Sequence, residues 1–120
     1  MAYRQRLGSW GENLAETYLK EKGLVPLGRN IRTHYGEVDL VMKDGETIVF
    51  VEVKTRTNLD FGTPEESITR KKRSRMIQTA EACMQEHPEW GGYWRIDVLA
   101  VFGRSSDPDP EIMWFDNAVE

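Results

Sequence analysis

Between Glu37 and Lys54 the chain carries two strongly apolar segments, Glu37-Val-Asp-Leu-Val-Met-Lys43 and Glu46-Thr-Ile-Val-Phe-Val-Glu-Val-Lys54, parted only by Asp44-Gly45. No other stretch narrows the fold as much. Val38, Val41, Ile48, Val49, Val51 and Val53 are β-branched residues, whose packing suits a pleated, half-buried backbone. Asp-Gly between two such runs predicts a two-residue turn, because Gly supplies the positive φ that a primed turn demands. With Asp44-Gly45 as the loop, Lys43 faces Glu46, Asp39 faces Phe50 and Glu37 faces Glu52. Alternation then puts Glu37, Asp39, Glu52 and Lys54 on one face of the sheet, at the end of the hairpin remote from its turn.

Two readings of that cluster stand side by side. In the first, Glu and Lys alternate along a solvated strand face. In the second, three carboxylates converge on a hard divalent cation such as Mg²⁺ or Mn²⁺, which prefers carboxylate oxygens and cancels the repulsion of like charges set opposite one another. Glu12 is open in the same way. It flanks the apolar face of the first helix next to Leu19, either as a solvated residue among Glu16 and Lys20 or as a carboxylate reaching past the helix rim. Lys54 either forms a salt bridge to Glu37 or Glu52, or stabilises negative charge developing at a reacting phosphate.

The rest of the chain supplies helices and strands around this hairpin. Leu7, Trp10, Leu14, Ala15, Tyr18 and Leu19 recur at helical spacing, and Gly23 closes that helix as a C′ residue. Leu24 to Arg32 reads as a first strand with Pro26 at an edge. Residues 57–63 form a loop, and Thr63-Pro-Glu-Glu66 reads as a capping box. A helical region follows to about Glu86, with a restart at Thr69 and with Ile68, Met76, Ile77, Ala80 and Met84 inward. His87-Pro88 ends it. Tyr93 to Phe102 alternates as a strand, and Ile112 to Phe115 is a short last one. The expected fold is a mixed α/β domain of order α-β-β-β-α-β-(β), with helices beside one central sheet and residues 1–120 as one domain.

Net charge is −4, from 16 Lys+Arg against 20 Asp+Glu, which taken whole disfavours a nucleic-acid partner. Its distribution reverses that inference. Residues 54–75 hold 7 basic and 3 acidic side chains, whereas residues 76–120 hold 2 basic and 9 acidic. Arg56, Arg70, Lys71, Lys72, Arg73 and Arg75 therefore form a basic segment directly after the carboxylate hairpin, suited to phosphate contacts that do not read base sequence. Arg4, Arg6 and the 57–63 loop are further candidates for backbone contact. The apolar runs are too short for a membrane helix, and Met1–Arg6 leads into no apolar segment, so a cytoplasmic chain without a membrane partner is expected. A single Cys83, on an apolar helix face, excludes an internal disulfide and is expected in the core. Trp10, Trp94 and Trp114 are likewise expected in the core, and Asp97 in an ion pair with Arg95. His34 and His87 have no ligand-like spacing.

Taken together, Gly36-Glu-Val-Asp-Leu-Val41 and Phe50-Val-Glu-Val-Lys-Thr-Arg56 resemble the signature of the bacterial YraN-like family, predicted endonucleases related to archaeal Holliday-junction resolvases. Gly11-Glu12, Arg29-Asn-Ile-Arg32, Phe61-Gly-Thr-Pro64, Lys72, Arg95-Ile-Asp-Val98 and Asn117-Ala118 follow the same pattern in order. The resemblance implies a restriction-endonuclease-like αβββαβ core with a PD-(D/E)xK motif, although Val38 stands where proline is common. It implies Asp39 and Glu52 as metal-binding carboxylates, Lys54 as the catalytic lysine, Glu12 as an added helix carboxylate and the Val53 carbonyl as a further metal ligand. Glu37 would support the site, either by fixing a ligand or water or by binding Lys54. The implied activity is Mg²⁺- or Mn²⁺-dependent hydrolysis of structured or branched DNA by a homodimer. The alternative is a non-catalytic nucleic-acid-binding or scaffold protein that keeps the nuclease fold. A small-molecule enzyme is disfavoured, since no phosphate loop, nucleophile elbow or Cys/His pair is present.

Overall fold

A computed structural model describes residues 2–56, 68–104 and 107–119, with side chains from Ser9 onward. The chain runs α1 (Ala2–Glu21), β1 (Val25–Thr33), β2 (Gly36–Asp44), β3 (Thr47–Arg56), α2 (Arg70–Glu86), a 3-10 turn at Pro88–Trp90, β4 (Trp94–Phe102) and β5 (Glu111–Val119). The five strands lie side by side in chain order. Pairing is antiparallel except between β3 and β4, which are parallel and joined through α2. This is the expected αβββαβ core followed by the expected last strand, β5. The 57–63 loop and the 63–66 capping box lie outside the described residues, as do the side chains of Arg4 and Arg6.

Alternation along the central strands builds two cores, one under each helix. Ile48 and Phe50 of β3 join Ile96 and Val98 of β4 against Ala80 and Cys83 of α2. Val49 and Val51, with Leu99 and Val101, pack against Ala15 and Leu19 of α1. Cys83 is thus a core residue, and Trp10, Trp94 and Trp114 pack against these clusters. The end of α1 follows from its glycine. Gly23 takes φ 98°, its N–H reaches the Lys20 carbonyl at 3.0 Å, and the Leu24 N–H reaches the Leu19 carbonyl at 3.0 Å. That is the Schellman pattern, and it folds Leu24 back into the same core as Leu19.

The hairpin turn differs from expectation. Asp44 pairs with Thr47, so the two-residue loop is Gly45-Glu46, and the positive φ falls on Gly45 alone, at 62°. A glycine-first loop of this kind meets the strand twist with one positive φ rather than two, so Asp44 stays in the ladder. The register moves accordingly: Phe50 faces Val41, not Asp39.

β5 is also longer than Ile112–Phe115. Asp97, fully buried, accepts hydrogen bonds from Trp114 Nε1 (2.9 Å), the Asn117 N–H (2.8 Å) and Arg95 Nε (3.1 Å). Its carboxylate thereby draws the polar Asp116-Asn117 end of the strand onto the sheet. The expected Arg95–Asp97 pair is present, and Arg95 also reaches Asp44 at 3.1 Å.

Gly11 sets how closely α1 approaches β3. A Cβ built there would lie 2.6 Å from Thr55 Oγ1 and 3.7 Å from Val53 Cγ1. Gly11→Ala should therefore destabilise the fold by about 1–2 kcal/mol through overpacking. Thr55→Ala in the same chain should recover most of that loss, as a double-mutant cycle in urea would show. Additive losses would mean that the contact does not set the helix position.

Candidate active site

The β2–β3 ladder runs from the turn to Leu40–Val51. One step further on, Asp39 comes level with Glu52, and here a side chain takes over from the main chain. Asp39 Oδ2 accepts the Val53 N–H at 2.8 Å. Alternation breaks at the same point. Val38 and Val41, three residues apart, both belong to the core under α2. The local departure from the pleat turns the carboxylate of a strand residue into the gap between two strands.

An open cleft lies over this gap, lined by Gly36, Glu37 and Asp39 of β2, Glu52 of β3, and Lys71, Lys72 and Arg75 of α2. α2 is positioned by its first turn. Thr69 is the N-cap, and its Oγ1 accepts the Lys72 N–H at 3.1 Å. From that start, Lys72, Met76 and Thr79 fall on the inward side of the helix at spacings of four and three. The start expected at Thr69 is present as this N-cap, and the expected helical residues before Ile68 lie outside the described residues.

Lys72 is where the structure departs most from expectation. Its Nζ lies 2.9 Å from Glu52 Oε1, inside the carboxylate cluster rather than on an outer phosphate-binding face. The inward spacing that marks Met76 marks Lys72 as well, but it is masked by the cations on either side. The remaining basic residues divide. Lys71 and Arg75 line the cleft, whereas Arg70 and Arg73 do not. The Arg56 guanidinium is turned onto the Thr55 carbonyl at 3.1 Å, within electrostatic reach of Lys54.

Glu37 also differs. Its carboxylate pairs with Arg32 across the β1–β2 ladder, at 3.3 Å, and not with Lys54. Arg32 reaches it from β1, a partner that the β2–β3 hairpin pattern does not signal. Glu12 is half-buried on α1 and acts on Asp39 through its charge. Lys54 is only 8% exposed.

The electrostatics follow from this crowding. Burial raises the Asp39 pKa to about 7, and the charge of Glu52 adds to it. The Val53 N–H works in the opposite direction, while Glu12 and Glu37 contribute smaller increases. Burial lowers Lys54 to about 8, assisted by the neighbouring Lys72 charge and opposed by Glu52. Burial would lower Lys72 too, but its hydrogen bond and charge interaction with Glu52 prevail and raise it.

Among the described residues, no group of three or more His, Cys, Asp or Glu side chains is arranged to cage an ion. The donors present still fit Mg²⁺ or Mn²⁺. Mg²⁺ typically keeps several waters and binds through one or two carboxylates plus substrate phosphates. Asp39 and Glu52 supply two hard oxygen donors beside the Val53 peptide, and the raised Asp39 pKa, due first to burial and then to the Glu52 charge, is one that a bound cation would lower.

The protein is thus a small α/β fold with carboxylates and lysines gathered in a polar cleft where β2 and β3 part. The chain belongs to the uncharacterised protein family UPF0102, whose family model matches residues 11–101. A UPF0102 protein from Beutenbergia cavernae is 46% identical over 101 residues, covering 84% of this chain and 86% of the relative. One from Dehalococcoides mccartyi is 39% identical over 120 residues, covering 99% and 98%. One from Vibrio campbellii is 38% identical, covering 97% and 93%. Among the described residues, no helix is long and apolar enough to cross a membrane.

The pKa directions set the pH dependence of stability in chelator. Asp39 titrates near 7 when folded and near 3.8 otherwise, so its stabilising contribution is complete below about 4 and is lost as pH rises through 7. Lys54 acts above that window. Its charged form is disfavoured in the fold, so stability recovers as pH rises from about 8 to 10.5. At pH 7.5, Asp39→Asn should raise stability by about 1–3 kcal/mol and at pH 4 change it little, as thermal melts at both values would show. A variant less stable than wild type at pH 7.5 would contradict the raised pKa.

Proposed function

We propose that this protein is a metal-dependent nuclease acting on structured or branched DNA. The observation that carries this reading is the Asp39 carboxylate lodged between β2 and β3, with Glu52 level with it and Lys54 buried alongside. Asp39 and Glu52 would hold Mg²⁺ or Mn²⁺, with the Val53 carbonyl as a further ligand and Glu12 adding negative charge from α1. The bound cation would supply an acidified water and would offset charge on the phosphate as its ester bond breaks.

The chain's own groups account for the rest. The Val53 N–H fixes one Asp39 oxygen and leaves the other for a ligand. Lys54, buried beside Glu52 and Lys72 with its pKa lowered to about 8, would be an ammonium donor to a phosphate oxygen where charge develops. Because little water reaches it, that charge acts strongly. Lys71 and Arg75 on the cleft wall would hold flanking phosphates without reading bases. Hydrolysis breaks one phosphorus–oxygen bond and adds the elements of water, leaving a phosphate monoester and a hydroxyl.

The test is incubation with flap, four-way-junction and single-stranded DNA in Mg²⁺ or Mn²⁺. Asp39→Asn and Glu52→Gln should each lower cleavage by about 100-fold or more. Equal cutting by wild type and variants would mark a contaminant and end the enzyme reading. Steep salt-dependent binding with no cleavage by any form would favour the scaffold protein instead. Cation affinity should fall about tenfold per pH unit below 7, because Asp39 must lose its proton first. Replacing Lys71 or Arg75 by Met should reduce the salt slope of DNA binding by about 1 each, while the same change at Arg70 or Arg73 should do less.

A further inference from the structure

Lys72 sits where its charge is awkward for the helix that carries it. The first turn of α2 has no acidic residue and instead presents Arg70, Lys71, Lys72 and Arg73 to the positive end of the helix dipole. Lys72 also lies close enough to Lys54 for the two ammonium groups to repel. What holds it there is Glu52, at 2.9 Å. Asp39, Glu52, Lys54 and Lys72 thus form a quartet with two formal negative and two formal positive charges. A divalent cation entering between the carboxylates would leave that quartet with an excess of +2, and Lys72 would be the group competing with it for Glu52.

The two partners of this ion pair differ in freedom. The Glu52 side chain is 17% exposed on a central strand, whereas Lys72 is 41% exposed at a helix end with a four-carbon stem. Lys71 and Arg75 flank it on the same cleft wall, where a phosphate would lie.

We propose that Lys72 is a displaceable counter-ion: it neutralises Glu52 in the free protein and transfers to a backbone phosphate when a divalent cation and nucleic acid bind. Lys72 is then a positioning residue that couples the two ligands. Each favours the other because the phosphate draws Lys72 away from Glu52 and the cation takes its place. This rests on the cation site proposed above.

Calorimetric titration of the purified protein with Mn²⁺, at fixed pH and ionic strength and without nucleic acid, tests it. Lys72→Met should bind Mn²⁺ about 5–10-fold more tightly than wild type, having lost the competitor. Lys72→Arg should restore the weaker binding, and Lys71→Met should gain less than Lys72→Met, since it removes nearby charge but not the ion pair. A phosphorothioate-backbone junction should tighten Mn²⁺ binding in wild type and do so less in Lys72→Met. Lys72→Gln is read in the same way if the Met variant folds poorly. Mn²⁺ binding by Lys72→Met and Lys72→Gln no tighter than that of wild type would overturn the counter-ion role and leave the cation site standing. No Mn²⁺ binding by any form would overturn both.

Discussion

The hydrogen bond from the Val53 N–H to Asp39 Oδ2 is the contact on which the arrangement of the cleft depends. A main-chain donor at that position in an antiparallel pair would ordinarily meet a main-chain acceptor. Here a carboxylate accepts it, so β2 and β3 can part without orphaning the amide. The parting has two consequences. It opens the sheet at the end remote from the turn, and it holds an acidic side chain among protein atoms close to Glu52, raising its pKa. A strained electrostatic arrangement is kept in place by an ordinary amide donor.

The surrounding fold makes that arrangement rigid. β3 and β4 are central strands with helices on both faces, so neither Glu52 nor Lys54 can shift without disturbing a core. α1 lies close on β3 because Gly11 has no side chain, which brings Glu12 toward the same end of the sheet. α2 starts at Thr69, and that start places Lys72 over Glu52. The burden of charge in the cleft is therefore shared among four elements, and each contributes a group it could not stabilise alone. Asp97 is the structural counterpart on β4. It is a fully buried carboxylate with a full set of donors, and it ties β5 to the sheet.

Much of this was legible from local pattern. Strand and helix order followed from alternation and from helical spacing, and Gly23 marked the end of α1. The hairpin was expected in the right place but one residue out on each strand, because Asp-Gly and Gly-Glu are both acceptable two-residue turns. A shift of one residue on both strands preserves parity, so the expected facing holds along the ladder to Leu40–Val51 and fails beyond it, where Val38 turns to the core under α2. It did change which residues meet: Phe50 faces Val41, and Asp39 feels the Glu52 charge while its carboxylate takes the Val53 N–H. The partners of Glu37 and Lys72 were not legible, because Arg32 approaches from β1 and Lys72 from α2.

The amino-acid sequence alone determined the α/β order, the nearness of Glu37, Asp39 and Glu52 at the end of the hairpin remote from its turn, and membership of a pattern running from Gly11 to Ala118. Those properties depend on periodicity and on nearest neighbours along a strand, which the chain encodes directly. Only the tertiary structure decided which charge neutralises which: Arg32 with Glu37, Lys72 with Glu52, and Lys54 buried with a lowered pKa. Charge pairing in a cleft is set by distances of a few ångströms between elements far apart in sequence, and by how much water each pair retains. Neither quantity has a local signature. A net charge of −4 gave no hint of a cleft walled by Lys71, Lys72 and Arg75, because the excess of acid lies after residue 75.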